Sequence, residues 1–174
     1  MANRSRSKLK NAAGIVLLEL LLAVPLVSCL FLTLGIMTVW GGREYIKILA
    51  DAELQQEIQI AFQRVVTDAL EAKYIRASGK ESGITIIKRV NPTRTGYKSE
   101  EIGVNYWLNT IQGTKKLVKE DARAPMTGNH ALASVNITEF SCTMIQPKLY
   151  YLKLTGRSGV TGHEYTLSTA IYIP

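Results

Sequence analysis

Hydrophobic positions are concentrated near the beginning of the chain, in residues 15–42. Glu19 is the only charged residue between Lys10 and Arg43. At 1.5 Å per residue, a helix over residues 20–40 is roughly 30 Å long, which matches the hydrocarbon core of a bilayer. The pattern therefore predicts a hydrophobic helix over residues 15–42 that is able to cross a membrane.

After residue 42 the hydrophobic positions recur at steps of three and four residues, which is the period of an amphipathic helix. This predicts a second helical segment over residues 43–77. We expect its apolar stripe to pack on the protein's own domain; the stripe comprises Ile48, Ala52, Ile58, Phe62, Val65, Ala69 and Leu70. Charged residues are expected on the remaining surface: Glu44, Lys47, Asp51, Glu53, Glu57, Arg64 and Asp68. Bending is expected at Pro25, Gly35 and Gly41–Gly42, because proline removes a backbone donor and glycine disfavours helix.

The pattern changes to a period of two after a turn-rich segment at residues 78–83, which is typical of β-strands. The predicted strands are 84–90, 103–108, 115–119, 135–144, 149–155 and 165–173. In the last strand, Leu167, Thr169, Ile171 and Ile173 share one face, which we expect to pack on the helix stripe around Phe62. A long helix followed by an antiparallel sheet over residues 84–173 predicts the α+β fold class, with the helix on one face of the sheet.

The charge distribution predicts the orientation of the chain in the membrane. Arg4, Arg6, Lys8 and Lys10 precede the apolar run with no acid among them, so residues 1–14 should be a basic leader that stays in the cytoplasm. Residues 43–174 should then form a single extracytoplasmic domain. The formal net charge is +7, and loss of the four basic leader residues leaves +3. A nucleic-acid partner is therefore disfavoured, although the small basic patch of Lys115, Lys116 and Lys119 leaves it open.

The presence of Glu19 in this run requires an explanation. An acidic residue at the centre of a membrane helix raises the free energy of membrane insertion by about 2.5–3.5 kcal/mol, and by somewhat less near an end of the helix. Three interpretations of the N-terminus compete. A cleaved secretory signal fits the basic leader, but no A-x-A site follows the apolar run. A lipoprotein signal fits Leu26–Cys29, which would be lipidated at Cys29, but the chain stays apolar after that cysteine. The third interpretation depends on the spacing of Gly14 and Glu19.

Gly14 is followed by Ile15, Val16, Leu17, Leu18 and Glu19. This stretch resembles the cleavage and N-methylation motif of type IV pilins and type II secretion pseudopilins. The motif combines a short basic leader ending in glycine, a hydrophobic first mature residue, a glutamate at the fifth mature position and an uninterrupted apolar segment. The resemblance is firm over about residues 8–40, and the C-terminal strand is loosely similar to minor pilins and minor pseudopilins of the J, W and competence F types.

The resemblance implies a filament subunit cleaved between Gly14 and Ile15, methylated on the Ile15 amine and held in register by Glu19. The implied partners are a prepilin peptidase, other pilin or pseudopilin subunits, an inner-membrane assembly platform and membrane lipid. The machine would serve secretion, DNA uptake or surface attachment. After assembly the protein would leave the inner membrane for a filament at the cell surface. The rival interpretation is a membrane-tethered lipoprotein or adaptor domain lipidated at Cys29.

The Gly14–Glu19 spacing also has a physical rationale that does not depend on the family. Cleavage after Gly14 would create an α-amino group on Ile15, about one helical turn from Glu19. In a medium of low dielectric constant the two opposite charges favour each other strongly, within one subunit or between neighbours. A single buried polar residue can also fix the register of associating helices.

Candidates for catalysis or ligand binding are few. We expect His130 and His163 to be solvated loop residues, because neither has metal-ligand spacing to another histidine or a cysteine. Glu100–Glu101 is expected to be a solvated pair. Cys29 would lie in the membrane and Cys142 in the exported domain, so the two are not expected to pair, and Cys142 is expected to be a small buried side chain in a strand. The sequence therefore predicts a protein that is not an enzyme and binds no cofactor or metal, with an enzyme as the weakest alternative.

Overall fold

The computed structural model describes residues 3–79, 82–89, 101–120, 122, 124–128 and 132–173. The backbone divides into two compact units, residues 1–45 and 46–174, which are described separately. Helix α1, Asn3–Leu70, contributes to both. α1 is helical through Pro25, Gly35 and Gly41–Gly42, so the helix does not unwind at these positions, and bending there stays a prediction.

The first unit is helical throughout its described length. From Leu17 to Trp40 every side chain is exposed, including large ones such as Phe31 at 67% and Trp40 at 67%. We call Leu17–Trp40 the apolar segment.

The second unit, which we call the globular unit, combines the end of α1 with two antiparallel sheets. The first sheet has the order β1-β2-β3-β4 and the second the order β5-β6-β7. The strands are β1 Ala72–Ala77, β2 Ile84–Arg89, β3 Glu101–Ile111, β4 Thr114–Lys119, β5 Asn136–Gln146, β6 Leu149–Arg157 and β7 Glu164–Tyr172. The α+β layout is thus confirmed, but the strands form two sheets instead of the one predicted.

The largest error of prediction concerns residues 71–77. The helix ends at Leu70, and Ala72–Ala77 is a strand paired with β2. Alanine, lysine and arginine favour helix in this stretch, but strand pairing buries Ala72 and Ile75 in the core. The tertiary contacts therefore override the local preference. The other six strands lie where predicted, with ends shifted by up to three residues and Val90 outside the described residues.

The core of the globular unit is built from one face of α1 and the inner faces of both sheets. The buried helix residues are Ala50, Leu54, Ile58, Ala61, Phe62, Val65 and Ala69. Ile48 and Leu70 are 67% and 60% exposed, and Ala52 is exposed as well, so these three assignments to the stripe are wrong. A helix turns about 100° per residue, which directs Ile48 and Ala52 away from the face that carries Leu54.

The predicted face of the last strand is confirmed. Ile171 and Ile173 are buried in the same core as Phe62, and Leu167 packs against that core. The helix approaches β6 closely at Gly156, where an added Cβ would lie 2.5 Å from Ile58 Cδ1. A side chain at this position would force the Ile58 side chain to move.

Candidate functional site

Glu19 is exposed on α1, with its Cα one helical turn after Ile15. No hydrogen bond or ion pair to Glu19 is found among the described side chains. Gly14 and Ile15 both lie in helical backbone, but their side-chain environment lies outside the described residues. The structure thus places the three predicted site residues in sequence along one helix.

The apolar segment has the surface of a helix made for a nonpolar environment. α1 includes a window that is long and apolar enough to cross a membrane, and none of that window is buried in the protein. Its hydroxyl groups are satisfied internally. Ser28 Oγ donates to Val24 O at 2.8 Å, Thr33 Oγ1 to Leu30 O at 2.8 Å and Thr38 Oγ1 to Leu34 O at 2.8 Å. These bonds remove the cost of placing unpaired hydroxyl donors in hydrocarbon or against another helix.

Cys29, the alternative lipidation site, lies in the middle of the apolar segment. Its side chain is exposed and its thiol is free. The residue is helical on both sides, as are the ten residues that follow it. Cys142 is also free.

The globular unit holds a polar cluster around Asp68 that the sequence did not reveal. Lys88 Nζ lies 2.7 Å from Asp68 Oδ1 and Lys119 Nζ lies 3.0 Å from Oδ2. The hydroxyl of Tyr106, a fully buried residue, donates to Oδ2 as well. Burial works to raise the pKa of Asp68, but the hydrogen bonds from Lys88, Tyr106 and Lys119 outweigh it and hold the pKa at about 2. Glu71, 63% exposed, is a second partner of Lys88 at 2.7 Å.

This cluster changes the interpretation of the basic patch. Lys119 pairs with Asp68, and Lys116 Nζ donates to Gly128 O at 2.8 Å. Two of the three lysines therefore bind other parts of the globular unit. The patch offers less free positive charge to a polyanion than its sequence suggests.

A second group joins α1 to the connection between β6 and β7. Asp51 accepts hydrogen bonds from the hydroxyl of Thr161 and lies 2.8 Å from His163 Nδ1. The hydrogen bonds from Thr161 and then His163, together with the charge of His163, lower the pKa of Asp51 despite its partial burial. His163 is 73% exposed as expected, but it has a partner that sequence spacing could not show, since 112 residues separate it from Asp51. His130 lies outside the described residues.

Ser158 is a second hydroxyl residue in the connection between β6 and β7, and its contacts are to backbone groups. Its Oγ accepts the N–H groups of Val160 and Thr161 at 3.2 and 3.3 Å and lies 3.4 Å from Ala133 O. These contacts fix the conformation of the turn. His163 and Thr161, which lie in this turn, both bind Asp51 and so connect the turn to α1.

Two further acids on α1 hold loops through backbone amides. Glu57, expected on the surface, is only 6% exposed, and its carboxylate accepts the N–H of Gly128. Glu53 Oε2 accepts the N–H of Ala133 at 3.1 Å. Glu101, expected to be solvated, binds Lys73 Nζ at 2.6 Å, while Glu100 lies outside the described residues. Across the described part of the chain, no group of three or more histidine, cysteine or acidic residues is arranged to hold a metal ion.

A cavity of about 510 Å³ opens between α1 and the segment after β4. Its lining is mixed, with Arg64, Asp68 and Lys119 beside apolar Ile60 and Met126. The carboxylate in this lining is already occupied by the two lysines and Tyr106.

Cys142 lies on β5, in a strand as predicted, but it is half-buried against the core and not fully buried. Burial raises the pKa of its thiol to about 11 from the usual 9.0. Because the thiolate is the reactive form, we expect iodoacetamide at pH 8 to modify Cys142 about 100-fold more slowly in the folded chain than in urea. The measurement uses the Cys29→Ser variant, so that Cys142 is the only thiol. Equal rates in the two states would show that the strand does not protect this side chain.

No protein-family model matches this chain, and neither curated proteins nor solved structures give a match.

Proposed function

We propose that the protein is a minor pilin or minor pseudopilin, a structural subunit that assembles through its N-terminal helix into a filament of the type IV pilus class. It is made as a single-pass membrane precursor with residues 1–14 in the cytoplasm and the globular unit outside. A prepilin peptidase cleaves after Gly14, and the new Ile15 amine is methylated. The mature helix then leaves the bilayer, with the help of an assembly platform, and enters a core of like helices.

The observation that carries this proposal is the apolar segment with its one carboxylate. All side chains from Leu17 to Trp40 are exposed, so the chain itself buries none of this surface. A bilayer covers such a surface in the precursor, and neighbouring helices cover it equally well in a filament. A segment that serves only as an anchor gains nothing from Glu19, which makes insertion less favourable.

The position of Glu19 provides the second support. Its carboxylate has no counter-charge among the described side chains and lies one turn after the residue that cleavage would turn into an N-terminus. In a helix core of low dielectric constant, a carboxylate that meets an amine of a neighbouring subunit is strongly favoured over one that meets only apolar groups. Because the two charges meet at only one relative position of neighbouring helices, this pairing would fix the axial register of each new subunit.

The globular unit supports the proposal through its construction. Its core includes the last part of α1, so the same helix that carries the apolar segment also forms part of a folded domain. Asp51, Glu53 and Glu57 fix the loops of the domain directly to that helix. A subunit built in this way can display its domain on a filament surface while the first part of its helix is in the core.

The mature N-terminus tests the proposal most directly. The full-length gene is expressed with a prepilin peptidase, and the protein is isolated from membranes for intact-mass and N-terminal peptide analysis. We expect a chain that begins at N-methylated Ile15. A Gly14→Lys variant is the control, because a large charged side chain at the cleavage position should keep the leader attached.

Two other results would each contradict the proposal. A chain that begins at diacylated Cys29 would identify a lipoprotein, and a chain that keeps its first residues in the presence of an active peptidase would identify a signal-anchored adaptor.

A further inference from the structure

The hairpin formed by β5 and β6 extends beyond the core of the globular unit. β5 begins beside β4 at Asn136, and its last buried residue is Phe140. Every residue of the range 143–148 is exposed. Residues 143–151 form the end of this hairpin, and Tyr172 of β7 pairs with them. We call these residues, with Tyr172, the hairpin tip.

The hairpin tip is apolar, although the residues favoured in turns are mostly small or polar. Met144 and Ile145 are 63% and 58% exposed. Strand pairing sets Met144 opposite Tyr150 on β6, so aromatic and aliphatic side chains lie next to each other. The tyrosines of the tip are Tyr150, Tyr151 and Tyr172. The tip thus presents an aliphatic end with tyrosines around it.

The charge at the hairpin tip is positive. Lys148 lies exposed in the turn, and no hydrogen bond or ion pair of its side chain occurs within the described part of the chain. The sequence has no acidic residue between Glu139 and Glu164. These two acids lie opposite Thr155 and Arg157 of β6, about 20 Å or more from the turn along the strand. A phosphate group can therefore approach the tip without meeting a carboxylate of the same sheet.

The backbone at the end of the hairpin is largely paired. β5 and β6 stay in register to Gln146 and Leu149, so only Pro147 and Lys148 lie in the turn, and proline has no N–H. Lys148 O accepts the N–H of Ile173 at 2.8 Å. An apolar medium penalises each unpaired N–H or C=O group, and this hairpin end brings few of them.

The combination of these features matches the interface of a phospholipid bilayer. Aliphatic side chains enter the hydrocarbon boundary, tyrosine rings lie at the level of the headgroups, and lysine reaches the phosphates. A protein partner fits less well. Lysine is depleted from the buried centres of protein interfaces, and a partner that covered Met144 and Ile145 would also cover Lys148 at the end of the same hairpin.

We propose that the hairpin tip is a membrane-docking element of the globular unit. Met144 and Ile145 enter the headgroup boundary of a phospholipid bilayer, the three tyrosines remain among the headgroups, and Lys148 binds a lipid phosphate. This contact uses the globular unit only. It therefore goes beyond the function proposed above and does not depend on cleavage after Gly14 or on filament assembly.

Fluorescence quenching in the full chain tests the proposal. Ile145→Cys and its matched control Ile102→Cys are made in a background with Cys29→Ser and Cys142→Ser, and each is labelled with the dye NBD. Ile102 lies on β3 and is 51% exposed, close to the 58% of Ile145. The labelled protein is reconstituted into nanodiscs and mixed with protein-free vesicles of phosphatidylcholine and phosphatidylglycerol. A doxyl-labelled lipid quencher is placed in the nanodisc bilayer in one arm and in the vesicles in the other.

We expect the quenching at position 145 to exceed that at position 102 at least fivefold in one arm, and that arm identifies the bilayer that the tip contacts. Adding Met144→Ser with Tyr172→Ser should reduce the quenching at position 145 at least threefold. Both residues are exposed, so circular dichroism should show an unchanged fold.

Two results would each overturn the proposal. One is equal quenching at positions 145 and 102 in both arms, which would leave a protein groove as the occupant of the tip. The other is quenching at position 145 that survives the double substitution, which would show that the dye itself enters the bilayer without the apolar tip.

Discussion

Replacing Glu19 with glutamine is expected to abolish incorporation of the protein into filaments while leaving cleavage after Gly14 intact. Glutamine keeps the size and hydrogen-bonding capacity of the side chain but removes the charge that would pair with the Ile15 amine of a neighbour. In a filament core of low dielectric constant the charged amine is then buried without a counter-charge, which makes assembly less favourable by several kcal/mol. We expect at least a tenfold loss of the variant from filaments sheared off cells that express the assembly machinery. Immunoblotting measures this loss, and intact mass measures the cleavage.

Thr33→Val is the matched control for this experiment. Thr33 lies in the same apolar segment, and its hydroxyl bonds only to the carbonyl of Leu30 in its own helix. The substitution removes a polar group without removing an intersubunit charge, so the variant should assemble normally. Normal assembly of Glu19→Gln would remove the role given to the carboxylate, and equal loss with Thr33→Val would indicate a general sensitivity of the segment.

The second large effect is expected in the globular unit. Asp68→Ala should lower the free energy of unfolding of the globular unit by about 3 kcal/mol. The change leaves the buried Tyr106 hydroxyl without an acceptor and removes the carboxylate that pairs with Lys88 and Lys119. Urea denaturation of the full chain in detergent, followed by near-ultraviolet circular dichroism, measures the loss. Glu71→Ala removes the exposed partner of the same Lys88 and should cost less than about 1 kcal/mol. Similar losses for both variants would contradict the importance given to burial around Asp68.

The same cluster predicts a dependence of stability on acidity. The pKa of Asp68 is lowered to about 2 from 3.8, so its contribution is fully present above pH 4 and is lost as the pH falls toward 2. After allowance for solvent screening, the contribution is about 1–2 kcal/mol. The wild-type protein should therefore lose more stability between pH 4 and pH 2 than Asp68→Ala does.

Much of the architecture follows from patterns that involve neighbouring residues in sequence. The apolar run, the helical period around Ile58 and Phe62 and the alternation of residues 165–173 each depend on local spacing, and the structure contains a helix or strand at each. Residues 72–77 are an exception, because local spacing predicts a helix there and the structure has a strand. Their composition favours helix, but pairing with β2 and burial of Ala72 and Ile75 in the core of the globular unit give a strand.

The features of the candidate site can likewise be separated into those that follow from local sequence and those that depend on tertiary contacts. The sequence by itself determined the apolar segment, the placement of Glu19 five residues after Gly14 and the α+β order, because hydrophobic period and residue spacing are properties of the chain. Only the tertiary structure decided that Asp68 joins Lys88, Lys119 and Tyr106 and that Asp51 meets His163. These contacts join residues between about 20 and 112 positions apart, and their energies depend on burial and strand pairing, which exist only once the chain has folded.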